Sequence, residues 1–116
     1  MPMRLIAQII FLALLLSGCD MCGNDPLNVV TSPNGEMNAI SFVRSCGATT
    51  GYSTHVSITD KSGRLKNDPG NIFTIEGKSP VGIEWKNNSQ LIVDIDGSGK
   101  EFKMVAEFEG VKVEYK

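Results

Sequence analysis

The segment that decides the fold is Met37-Asn38-Ala39-Ile40-Ser41-Phe42-Val43-Arg44. Side chains of an extended chain alternate between two faces, so one face carries Ile40, Phe42 and Arg44 and the other carries Ala39, Ser41 and Val43. The preceding Ser32-Pro33-Asn34-Gly35 favours a turn, because proline presets one backbone dihedral and Asn-Gly accepts positive φ. Leu27 to Thr31, before that turn, is apolar and β-branched. We therefore predict a β-hairpin across residues 27–44.

The rest of the chain repeats this pattern up to its end. Strands are predicted at residues 53–59, 71–76, 81–85, 90–95, 101–108 and 111–115, with turn-forming residues between them. Seven or eight short strands at spacings of roughly 8 to 12 residues, without a helical period, predict an all-β fold, either a small antiparallel sandwich or an open barrel. A single buried face is expected to bring together five aromatic side chains: Phe42, Phe73, Trp85, Phe102 and Phe108.

The front of the chain has the features of a signal peptide. One positive charge within Met1 to Arg4 precedes an apolar run, Leu5 to Leu16, that only Gln8 interrupts. This run is shorter than the roughly 20 apolar residues that span a bilayer as a helix, which favours a cleaved signal over a transmembrane anchor.

The next residues, Leu16-Ser17-Gly18-Cys19, resemble the bacterial lipobox. In that family the cysteine receives a diacylglyceryl group, the chain is cut before it, and the new amine is usually acylated as well. The resemblance implies a signal peptide at residues 1–18, acyl chains such as palmitate on Cys19, and a membrane-anchored lipoprotein facing the periplasm. The alternative is an ordinary secretory signal with a chance cysteine at its boundary. Asp20 resembles the signal that keeps a lipoprotein in the inner membrane, and the outer membrane stays open.

The mature chain has room for one domain. Removing residues 1–18 from 116 leaves 98, which we divide into a lipidated tether at 19–26 and a single β domain at 27–116. Ten Lys and Arg then face thirteen Asp and Glu, a net charge of −3. This charge is not basic enough for nucleic-acid binding, and the mixed signs favour a solvated surface.

If Cys19 carries lipid, Cys22 and Cys46 remain as a pair. The compartment outside the inner membrane is oxidising, so we predict a disulfide between them. A metal pair is the alternative, but the only histidine, His55, does not complete a four-ligand zinc site. Asp94 begins a segment like a calcium loop, yet the twelfth position is Val105 rather than glutamate. No metal or cofactor is expected.

A catalytic interpretation of Gly51-Tyr52-Ser53-Thr54-His55 is weak. The segment begins like a nucleophile elbow but lacks the closing glycine and the strand-to-helix setting. Ser53 and His55 share a strand face and are expected to reach each other only indirectly, with His55 half-exposed. The sequence therefore predicts a protein without enzymatic activity, and a small serine hydrolase using these two residues is the alternative.

The loop after Cys46 is the candidate binding surface. A disulfide-pinned loop is rigid, and Arg44, Thr49, Thr50 and Tyr52 could supply its binding groups. The alternative is that the threonine hydroxyls satisfy backbone groups and Arg44 forms a salt bridge.

Three segments together resemble a family of short bacterial exported and lipid-anchored proteins of unknown function. They are Cys22-Gly23-Asn24, Ser32-Pro33-Asn34-Gly35 and the block from Phe42 to Ile58, in which Cys46-Gly47-Ala48-Thr49-Thr50 is the most specific part. Family members usually carry an acidic residue in place of Ser45 and often glutamine in place of His55, so the resemblance implies no special role for His55. By analogy with small lipid-tethered β domains, we expect an inhibitor- or immunity-type module that binds an envelope or incoming protein. A structural accessory of envelope assembly is a further alternative.

Overall fold

The computed structural model describes residues 21–47 and 49–116. The predicted signal peptide and Cys19 lie outside these residues. The strands are β1 (Gly23–Thr31), β2 (Met37–Ser45), β3 (Tyr52–Asp60), β4 (Phe73–Glu76), β5 (Val81–Asn87), β6 (Gln90–Ile95), β7 (Glu101–Met104), β8 (Glu107–Phe108) and β9 (Val111–Tyr115). Over the described ranges, no helix is long and apolar enough to cross a membrane.

The strands form two sheets packed face to face, which confirms the predicted all-β sandwich. The first sheet has the order β1-β2-β3-β4-β7 and the second has the order β5-β6-β9-β8. The predicted hairpin is confirmed, because β1 and β2 pair antiparallel from Thr31 opposite Asn38 to Gly23 opposite Ser45. Since β1 begins at Gly23, it includes residues 23–26, which the sequence assigned to the tether.

The prediction of one strand across residues 101–108 is wrong, because the chain changes sheets there. After β7 the Val105 N–H donates to the Ile72 carbonyl, and the Ala106 carbonyl accepts from the Val113 N–H. The chain thus leaves the first sheet and returns to the second. This excursion also makes β6 and β9 parallel, whereas all other strand pairs are antiparallel.

The apolar core lies between the two sheets. Its buried members are Ala39, Val56, Ile58, Ile72, Phe73, Ile75, Ile83, Trp85, Leu91, Val93, Val111 and Val113. Phe73 and Trp85 join this core as predicted, and Phe108 packs against it. Phe102 does not, because it lies on the edge strand β7 with 59% of its surface exposed. Phe42 is buried on the opposite face of the first sheet, so both of these placements were predicted wrongly.

A long connection covers that opposite, outer face. We call residues 61–71, between β3 and β4, the strap. Beneath it the Phe42 ring stacks on the His55 ring, with centroids 5.2 Å apart. The strap and the second sheet therefore bury β3 from both sides. This explains why Thr54 to Ile58 are all buried although a strand with one buried face would alternate.

Candidate functional site

Cys22 and Cys46 form the predicted disulfide. Cys22 directly precedes Gly23 and Cys46 directly follows Ser45, and Gly23 and Ser45 are the terminal pair of the β1–β2 hairpin. Because the pairing of β1 with β2 already brings Cys22 and Cys46 close together, the disulfide closes the open end of the hairpin.

The structure does not bring the four predicted loop residues into one site. Arg44 pairs with Ser53 and Tyr52 pairs with Ser45, so the Arg44 and Tyr52 side chains lie on opposite faces. Thr49 and Thr50 are exposed at the loop. The Thr50 hydroxyl donates to the Gly47 carbonyl at 3.1 Å, as expected if the threonine satisfies a backbone group.

Arg44 takes part in a contact that holds the strap. Its guanidinium donates to Oδ1 of Asn24 at 2.8 Å and to Oδ1 of Asn67 at 3.0 Å. The Asn24 amide donates to the carbonyls of Lys66 and Asp68, and the Asn67 amide donates to the Cys22 carbonyl. These contacts tie the strap to the disulfide end of β1. Sequence patterns do not indicate these contacts, because Asn24 and Lys66 lie 42 residues apart.

His55 is buried, with only 3% of its surface exposed, so the prediction of a half-exposed residue is wrong. Ser53 Oγ lies 2.7 Å from His55 Nε2, which makes their contact direct rather than indirect. Residues two apart on a strand share a face, and the strap covers His55 on that face while Ser53 is half-buried. The sequence did not indicate that the strap covers His55, because the residues of the strap are mostly polar, like those of an exposed loop.

The hydrogen bonds of His55 define its tautomer. The Gly70 N–H donates to His55 Nδ1 at 2.9 Å. A backbone N–H can only donate, so Nδ1 is the unprotonated nitrogen and Nε2 carries the proton. Nε2 therefore donates to Ser53 Oγ. A serine nucleophile needs the reverse, a free nitrogen facing its hydroxyl, so this pair is not arranged to abstract the serine proton.

The surroundings of His55 also disfavour its charged form. Burial, the positive charge of Arg44 and that of Lys103 lower the pKa of His55 to about 4. Thr74 Oγ1 lies 3.0 Å from the acceptor Nδ1, and the Lys103 ammonium donates to the Gly70 carbonyl at 3.0 Å. The imidazole is therefore a neutral part of the packing between β3 and the strap.

One open groove, the Arg64 groove, lies between the end of β3, the strap and the β8–β9 turn. Its volume is about 660 Å³. Charged side chains of both signs line it: Asp60, Arg64, Lys66, Asp68 and Glu109. Ile58, Leu65, Pro69 and Phe108 supply apolar surface. The hydroxyl and N–H of Ser62 donate to the Asp60 carboxylate and lower the pKa of Asp60, which keeps this carboxylate charged and oriented.

A second groove, the Tyr52 groove, lies beside the disulfide. Its volume is about 460 Å³, and its lining includes Asp25, Leu27, Val43, Tyr52 and Lys78. The Lys78 ammonium lies 4.1 Å from the centroid of the Tyr52 ring. Tyr52 begins the nine-residue strand β3 and Asp60 ends it, so these two residues are roughly 26 Å apart. The linings of the two grooves nevertheless meet at the strap, because Asn24 of the Tyr52 groove donates to the carbonyls of Lys66 and Asp68 of the Arg64 groove.

Within residues 21–47 and 49–116, no group of three or more His, Cys, Asp or Glu side chains is placed to hold a metal ion. The chain matches no family model, no curated protein and no solved structure. The geometry of the two grooves and of His55 is therefore what bears on function.

Proposed function

We propose that the chain is a bacterial envelope lipoprotein, anchored through acyl chains on Cys19, whose β domain works by binding a protein. The observation that carries the binding role is the Arg64 groove. Its lining combines apolar side chains with charged side chains of both signs, and protein interfaces commonly combine apolar with charged and polar residues.

The charges of the groove indicate the chemistry of the partner. Arg64 and Lys66 are exposed on the strap, while Asp60 and Glu109 are exposed on the strand end and the opposite turn. A partner segment that carries both a basic and an acidic side chain around an apolar residue matches this arrangement. Complementary charges of this kind set specificity and association rate more than affinity.

The hydrolase alternative is weaker than the binding role. The proton on His55 faces Ser53, and His55 is buried beneath the strap while Ser53 is half-buried. We therefore assign Ser53 and His55 to the packing of the strap, and an active-site serine probe should not label the protein.

The anchor proposal rests on the lipobox-like residues. Cys19 lies two positions before Met21, at the disulfide end of β1. The Arg64 groove extends from Lys66 and Asp68, whose carbonyls accept from Asn24, to Asp60 at the other end of β3. An anchored domain would thus present the Asp60 end of this groove away from the bilayer, where a periplasmic protein can reach it.

Site-specific photo-crosslinking in the intact envelope tests the binding role. A photoreactive phenylalanine analogue replaces Arg64 or Lys66 in the full-length protein, and a control replaces Glu84, which is exposed on β5 at the far edge of the second sheet. We expect one crosslinked product of defined mass from both groove positions and none from the control. Equal products from all three positions, or no product from any, would contradict the proposal.

A labelling experiment tests the anchor separately. Cells grown with radioactive palmitate should label the wild-type protein and leave the Cys19→Ala variant unlabelled. Label that survives the substitution would show that Cys19 is not the acylated residue.

A further inference from the structure

We propose that the Tyr52 groove receives a zwitterionic phospholipid headgroup, phosphoethanolamine, from the bilayer that holds Cys19. This inference rests on the proposed lipid anchor and goes beyond it, because it gives the anchored domain a second membrane contact and a fixed orientation.

The first argument is reach. Consecutive Cα atoms are about 3.8 Å apart, so the Cα atom of Cys19 lies within about 8 Å of that of Met21. Met21 is 64% exposed, and a Cβ atom built on Gly47 would lie 3.1 Å from its terminal methyl carbon. The lipid attachment and the loop after Cys46 are therefore close neighbours, and the Tyr52 groove opens beside them.

The second argument is the character of the exposed side chains at this end. Met21, Leu27 and Tyr52 are exposed by 64%, 58% and 49%. The Lys78 ammonium covers the Tyr52 ring. Tyrosine and lysine both combine an apolar body with a polar tip, which suits the boundary between headgroups and acyl chains.

The third argument is charge complementarity. Asp25 stands on β1 at one side of the groove, and Lys78 stands after β4 at the other, with Val43 and Tyr52 between them. A phosphoethanolamine headgroup carries a phosphate and an ammonium. Lys78 pairs with the phosphate and Asp25 with the ammonium, so one headgroup satisfies both charges.

A second copy of the chain is a poorer occupant of this region. Pro26 has no N–H to donate to an added strand, and the pairing register of β1 shifts between Pro26 and Asn28. The Trp85 indole already donates to the Val30 carbonyl at 2.8 Å. These features interrupt the edge that an added strand would need.

Paramagnetic relaxation tests the headgroup contact on the full acylated protein. The protein is placed in lipid nanodiscs of three parts phosphatidylethanolamine to one part phosphatidylglycerol, with a trace of headgroup spin label. We expect the amides of Leu27, Tyr52 and Lys78 to relax at least twofold faster than that of Gly47, which lies beside Met21 but does not line the groove. Lys78→Glu should abolish this difference, and the matched control Lys112→Glu, exposed on β9, should leave it unchanged.

A second set of nanodiscs, made of phosphatidylglycerol alone, tests the ammonium contact. The difference should fall at least twofold there, since that headgroup has no ammonium for Asp25. Equal relaxation of the groove amides and the Gly47 amide, or an unchanged difference between them in Lys78→Glu, would overturn the headgroup contact.

Intact mass reports the acyl chains independently. Acylated protein with even relaxation would overturn the headgroup contact and leave the proposed function standing. Protein purified from the envelope without acyl chains would overturn the anchor and the contact together.

Discussion

The backbone N–H of Gly70 donates a 2.9 Å hydrogen bond to Nδ1 of His55, across 15 residues of sequence. This single contact joins the strap to the centre of β3. It also determines which imidazole nitrogen carries the proton. The ring lies between β3 and the strap, where burial lowers the pKa of His55 to about 4. The pKa of His55 therefore depends on the packing of the strap against β3.

The pH dependence of stability should reveal this histidine. Its pKa is about 4 in the folded protein and 6.5 when exposed, so between these values the unfolded chain binds more protons. Stability therefore falls as the pH falls, and we expect the free energy of unfolding to be about 2 kcal/mol lower at pH 5 than at pH 8. Urea denaturation at both pH values measures the difference.

The matched variant for that experiment is His55→Gln, which has no titrating ring. Its stability should change much less between pH 8 and pH 5, because His55 is the only histidine of the chain. An unchanged pH difference in His55→Gln would show that other groups cause it.

Gly70→Ala should destabilise the protein. A Cβ atom there would lie 2.7 Å from the Phe73 carbonyl oxygen and 2.8 Å from both the Val56 carbonyl oxygen and His55 Cβ, so the backbone itself would have to move. We expect a loss of about 1–3 kcal/mol in the free energy of unfolding, measured by urea denaturation. Gly51→Ala is the control, because a Cβ atom at Gly51 meets nothing within 4 Å. Equal losses in both variants would contradict this account.

Loss of the disulfide should loosen the strap as well as lower stability. Replacing Cys22 and Cys46 by serine should cost roughly 3 kcal/mol on the chain-entropy model. Since Asn67 donates to the Cys22 carbonyl, amide hydrogen exchange in residues 66–70 should accelerate more than exchange in β9. Uniform acceleration over the whole domain would indicate a purely global effect.

Asn24→Ala should release the strap while the disulfide stays intact. The substitution removes the donor to the Lys66 and Asp68 carbonyls and one acceptor of Arg44. We expect a loss of about 1–2 kcal/mol and faster amide exchange in residues 66–70. Asn28→Ala, an exposed asparagine of the same strand, is the control and should change neither quantity appreciably. Unaltered exchange in Asn24→Ala would mean that the strap is held elsewhere.

The fold class and most strands could be predicted because their signals are local. Period-two alternation in residues 37–44 and the Pro33-Asn34-Gly35 turn each act within a few residues. The strand β2 and the turn are present as predicted, although β2 is buried on both faces from Asn38 to Phe42. The cysteine pair was likewise predictable, since the predicted lipidation of Cys19 leaves Cys22 and Cys46 as one pairing. The division of residues 101–108 between two sheets could not be predicted. The side-chain alternation is the same on either side of Val105, and only the hydrogen-bond partners differ.

The sequence by itself determined an all-β chain and its first hairpin, because dihedral preferences and side-chain period act on neighbouring residues. It predicted the Cys22–Cys46 bond only on the premise that Cys19 carries lipid. Only the tertiary structure decided that Phe42 and His55 lie outside the main core. Period two separates the faces of a strand but does not say what covers each one. The strap covers the outer face of β3, and its hydrogen bonds to Asn24 and His55 join residues 15 to 44 positions apart.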